Sequence, residues 1–186
     1  MPTWLTLALP LAAFVLLVLL FGLILRRTGR IAGMTRERDR FRKSVEDLSS
    51  RIDTSLGGVI ERIDAVRRHQ VPPESISDNL AAGRDAVVRY EEEASKLHGP
   101  VPADEVRAAL MAELERAGRA LEMVAHGCDL LAASRSGYNE LEAQTAVKRG
   151  YLNALHAREA IALHAADLAS GRAIDERRWM STRPNE

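Results

Sequence analysis

The chain has 186 residues, 26 Lys+Arg against 26 Asp+Glu, and a single cysteine, Cys128. One thiol excludes an intrachain disulfide framework and a cysteine-rich zinc site, and it fits a reducing compartment. Three Phe, three Tyr and two Trp beside abundant Ala, Leu, Arg and Glu favour helices over sheets, whose strands want β-branched and aromatic residues.

The first element is the run WLTLALPLAAFVLLVLLFGLIL, Trp4 to Leu25, which holds no charged residue. As a helix it is roughly 33 Å long, enough for a hydrocarbon core of about 30 Å. Pro10 lies in the first two turns, where a missing N–H costs least, and Trp4 stands where an interfacial aromatic belongs. A cleaved signal peptide needs a basic leader, a shorter apolar core and a small-residue cleavage site. None of these is present, so the expectation is an uncleaved single-pass anchor over residues 1–27.

Charge then sets its orientation. No Lys or Arg precedes the span, whereas eight basic residues and two acids lie between Arg26 and Lys43. The positive-inside rule therefore predicts an outside N-terminus and a cytoplasmic C-terminal domain. Residues 28–43 form a basic juxtamembrane segment, with Arg26, Arg27 and Arg30 expected to contact anionic lipid head groups. The charges hug the membrane and no aromatic platform accompanies them, so no nucleic acid is expected as a partner.

Four helices follow, over about 35–69, 74–97, 103–133 and 139–169, with the bundle proper occupying 44–170. In the first, Phe41, Val45, Leu48, Ile52, Leu56, Val59, Ile63 and Val66 recur at close to heptad spacing, a coiled-coil-like stripe. Gly57-Gly58 is expected to weaken or bend it, and Val71-Pro72-Pro73 ends it. At roughly 50 Å it outreaches the second helix, at roughly 36 Å. Its membrane-proximal residues Phe41, Val45, Leu48 and Ile52 are therefore the predicted self-association edge of a homo-oligomer. The second helix carries a narrower stripe through Gly83, and Gly99-Pro100-Val101-Pro102 closes it. Val106, Leu110, Leu114, Ala117, Leu121, Val124, Cys128 and Leu131 share one face of the third. The fourth is Ala-rich, and its Leu141, Val147, Leu152, Leu155, Ile161, Leu163 and Leu168 share no narrow stripe, which predicts contacts on more than one side. The polar tail 171–186 contains Trp179-Met180, a candidate for packing back onto the bundle.

Chemistry is sparse. The best metal candidates are Glu122 and His126, four apart, with His156 and Glu159, three apart, on adjacent helices. Di-iron carboxylate bundles place Glu and His three apart on two helices and add further glutamates. Here one spacing is wrong and the extra acids cannot be assigned, so solvated helix flanks explain these residues more simply. Cys128 sits on an apolar stripe, where a buried thiol is the default. There is no P-loop, dinucleotide-binding glycine pattern or zinc-protease signature. The expectation is therefore no enzyme and no cofactor.

The segment Ala146-Val147-Lys148-Arg149-Gly150-Tyr151-Leu152-Asn153-Ala154 is similar to the last long helix of LemA-family proteins. The layout of one anchor followed by a helical bundle resembles that family too. The family's early Arg-Arg-Tyr-Asp-Leu-Ile-Pro-Asn-Leu run has no counterpart between Arg42 and Ile63. The resemblance implies a cytoplasmic helical bundle hung from a membrane. The residues together predict an all-α protein: a transmembrane helix, then an antiparallel cytoplasmic bundle acting as a scaffold or adaptor. A bundle binding a metal or small molecule is the alternative.

Overall fold

The computed structural model of the chain describes residues 4–99, 103–133 and 140–170, with side chains from residue 36 onward. Four helices carry it: α1 Trp4–Arg67, α2 Ser77–Ser95, α3 Ala103–Ala133 and α4 Glu140–Ala169, with a 3₁₀ turn at Pro73–Ile76 before α2. No strand occurs among the described residues. The chain divides into two compact units, Met1–Arg40 and Phe41–Glu186.

In the first unit the backbone is helical from Trp4. The side chains of the expected span, Trp4 to Leu25, and of Arg26, Arg27 and Arg30 lie outside the described residues. Among the described residues no helix is long and apolar enough to cross a membrane.

The second unit is a four-helix bundle with one continuous core. Three pairs of contacts set α1 antiparallel to α2. Phe41 lies beside Gly99, Arg51 beside Glu93, and Val59 beside Gly83. Val87 faces Gly118 and Leu121 faces Gly83, which runs α3 antiparallel to α2. Gly127 lies on Val147 and Gly150 on Val124, so α4 runs antiparallel to α3. Asp53 with Arg158, and Arg67 with Tyr151, close the ring between α4 and α1. This is the up-down-up-down order that short connections favour.

Three sequence expectations change. First, α1 passes through Gly57-Gly58 without a break. The packing around it overrides the weak propensity of two glycines, worth about 1 kcal/mol each.

Second, Phe41, Val45, Leu48 and Ile52 are not a protruding edge. All four are buried within the bundle of the single chain. The length comparison with the second helix left out α3 and α4, which have 31 and 30 residues. These are long enough to line α1 from Phe41 to Arg67.

Third, α4 does have a narrow buried stripe. It is made of Ala143, Val147, Gly150, Ala154, Ala157, Ile161 and Leu168, spaced 4,3,4,3,4,7. Small residues let α4 press against α3. A Cβ on Gly150 would stand 2.5 Å from Val124 Cγ2 and 2.7 Å from the Ala120 carbonyl oxygen. A Cβ on Gly127 would stand 2.8 Å from Val147 Cγ2 and 2.9 Å from the Ala143 carbonyl oxygen. Each helix thus seats a valine over the other's glycine.

Candidate functional site

α1 is tied to both neighbours by polar contacts at the rim of the core. On the α2 side, Arg51 donates to the Glu93 carboxylate at 2.6 Å, and Ser55 Oγ and the Tyr90 hydroxyl share a hydrogen bond of 2.7 Å. The Tyr90 hydroxyl also lies within 3.3 Å of the Arg51 carbonyl oxygen, and the Arg51 guanidinium sits 5.8 Å from the Tyr90 ring centre. On the α4 side, Arg158 Nε donates to Asp53 at 2.6 Å while its guanidinium covers Gly57. Hydrogen bonding from Arg158 holds the Asp53 carboxyl below its ordinary value, and Arg51 does the same for Glu93. These half-exposed pairs fix the register of the bundle and carry no reacting group.

The metal candidates are not brought together. Glu122, His126, His156 and Glu159 are all exposed. Among the described residues no group of three or more His, Cys, Asp or Glu could hold a metal ion. The four positions lie on the flanks of α3 and α4 that face away from the core.

Cys128 lines a cavity of about 320 Å³ between the Pro73–Ile76 turn, the start of α2 and α3, together with Glu74, Ser77, Arg84 and Asp129. Its thiol is pushed up to about 11, by burial first and then by the negative charges of Asp129 and Glu74. A thiol so disposed stays protonated at neutral pH and is a poor nucleophile.

Sequence reasoning missed a third feature. α1 ends in a Schellman arrangement, with Gln70 N–H on the Ala65 carbonyl at 2.8 Å and His69 N–H on the Val66 carbonyl at 2.9 Å. The residue that must turn left-handed there is His69, with φ 57°, where glycine is the usual occupant. Beside it opens a cavity of about 140 Å³ lined by Arg67, His69, Gln144 and Lys148 over an apolar floor. A histidine at the end of a helical stripe is the only sequence signal, and the partner from α4 comes from 79 positions further on.

A fourth lies on the outside. Leu141, Leu152 and Leu163 of α4 are 79%, 39% and 61% exposed. They recur every eleven residues, about three turns, so they line one face opposite the buried stripe.

No family model, no curated protein and no solved structure matches the chain. The LemA-like layout therefore carries no family assignment, and function rests on the residues alone.

Proposed function

We propose that the protein is a single-pass, membrane-anchored helical scaffold or adaptor that works through protein contacts on the cytoplasmic face. The observation that carries this reading is the uncharged run from Trp4 to Leu25, followed by a stretch from Arg26 to Lys43 with eight basic residues against two acids. A fusion reporter placed after Glu186 is expected to be active only in its cytoplasm-dependent form. An active periplasmic or extracellular reporter at that position overturns the orientation.

The contact surface is the outward leucine row of α4. The stripe of α1 is already covered within the chain. A second copy is the proposed partner, because anchorage in one membrane raises the effective concentration of copies for one another. Cysteine at Leu152, in a Cys128→Ala background, is expected to give a disulfide-linked dimer in membranes under mild oxidation. A monomer under those conditions removes self-association.

The second reading is a membrane-tethered bundle that binds a metal or small molecule. The observation that favours its small-molecule half is the basic cavity beside His69.

A further inference from the structure

Two arginines, Arg67 and Arg68, share one acid at the end of α1, and Arg67 lines a cavity there with His69 and, from α4, Lys148. Asp64 accepts from Arg67 at 2.6 Å and from Arg68 at 2.7 Å, so its charge is fully engaged. The Arg67 guanidinium is held in place, stacked 5.1 Å from the Tyr151 ring centre. Lys148 and His69 pair with no acid among the described residues, yet both line the cavity with Arg67.

Cations at the end of α1 complement the helix dipole, which accounts for Arg67 in the last turn and Arg68 just beyond it. It does not account for Lys148, which lies two turns inside α4. Nor does it account for histidine in a left-handed position where glycine is free of strain. A cavity of about 140 Å³ is comparable to one that holds benzene, roughly 150 Å³. That is room for a phosphoryl group, and for little more than a small ester on it.

We infer that the cavity between the end of α1 and α4 binds a phosphate monoester or inorganic phosphate, held by Lys148, His69 and Arg67. The inference stands independently of the adaptor reading, because it uses neither the anchor nor the leucine row. Lys148 supplies a point charge and three donors, and Arg67 retains an Nη1 that does not touch Asp64. His69, left-handed at the end of α1, lines the same cavity as Lys148.

The test uses the full chain in phosphorus-free detergent micelles. In one arm inorganic phosphate is titrated against chloride at matched ionic strength. In the other a short-chain phosphatidic acid is added to the micelles without free phosphate. The readouts are the thermal midpoint and the ³¹P line width. Phosphate at ten times its dissociation constant should raise the midpoint by about 3–5 °C. Lys148→Met, an exposed position, should fold normally and weaken binding at least tenfold, while Lys43→Met should bind like the parent. His69→Gly should raise the ligand-free midpoint, by relieving the left-handed residue, and still lose affinity for phosphate. A Lys148-dependent response in the first arm assigns a soluble phosphate, and one confined to the second arm assigns a lipid head group. No response in either arm, or a response that Lys148→Met and His69→Gly both retain, overturns the site.

Discussion

Adding one methyl group at Gly150 and the same methyl group at Gly58 should have opposite effects. Both residues lie in helix interiors, where alanine is favoured over glycine by about 0.8–1.0 kcal/mol. At Gly58 nothing lies within 4 Å of the new Cβ, so Gly58→Ala should keep most of that gain. At Gly150 the Cβ would meet Val124 Cγ2 at 2.5 Å, Ala120 O at 2.7 Å and Val124 N at 3.1 Å. Two of those three atoms are backbone of α3, so no rotamer change relieves the clash. Carbon–carbon contacts settle at about 3.5–4.0 Å, so α4 must move away from α3 by roughly 1 Å. Overpacking of this kind costs about 1–3 kcal/mol. After the helix gain is subtracted, Gly150→Ala should lose up to about 2 kcal/mol. For a chain of this size that is a fall of up to about 8 °C in the thermal midpoint, against a rise of about 1–4 °C for Gly58→Ala. Circular dichroism melts of the full chain in detergent measure both. If Gly150→Ala is as stabilising as Gly58→Ala, helix propensity alone governs and the close seam between α3 and α4 is refuted.

Leu48→Glu places a charge at a side chain only 2% exposed in the core of the single chain, so it should cost about 3 kcal/mol or more and lower the melt. Normal folding of that variant with reduced crosslinking between copies would restore the self-association edge on α1. Acid should weaken the bundle in a defined window. Asp53 and Glu93 have carboxyl values lowered by Arg158 and Arg51, so their contribution is present above the unfolded carboxylate range of about pH 4 and is lost as pH falls through the lower folded values. Both pairs are half exposed, which limits each to about 1 kcal/mol or less. Urea midpoints for the parent and for Asp53→Asn should converge as the pH is taken from 6 to about 3. A constant gap across that range would remove the Arg158 pairing as a source of stability.

The parts of the fold legible in the sequence were those written in large apolar residues and in breakers. Val71-Pro72-Pro73 and the Gly99-Pro100 step lie in the gaps after α1 and α2. The stripe of α1 is buried from Phe41 to Val66, with Val59 half-buried and Ile60 added to it. The buried face of α4 was hidden because it consists mainly of alanine and glycine, whose low hydrophobicity let three exposed leucines look like the core. Its signal was the 4,3,4,3,4 recurrence of small residues from Ala143 to Ile161. That pattern is answered on α3 by Ala117, Ala120, Val124 and Gly127, all buried.

The basic cavity was hidden for a different reason. A left-handed residue leaves no mark in composition or periodicity, and Lys148 lines the same cavity as His69 because α4 returns antiparallel beside α1. Such a pairing depends on how the helices are ordered around the core, which apolar stripes alone leave open. The helical period places the outward leucine row of α4 opposite its Ala and Gly stripe. The close seam with α3 and the exposed leucines are therefore two faces of one helix. Pressing the small-residue face inward commits Leu141, Leu152 and Leu163 to the outside. Because they sit opposite the seam, a change that loosens the seam need not disturb the row. Gly150→Ala should thus reduce stability while leaving crosslinking through a cysteine at Leu152 intact in protein that remains folded. Loss of both together would mean that the row depends on the seam, and that the two faces of α4 do not act independently.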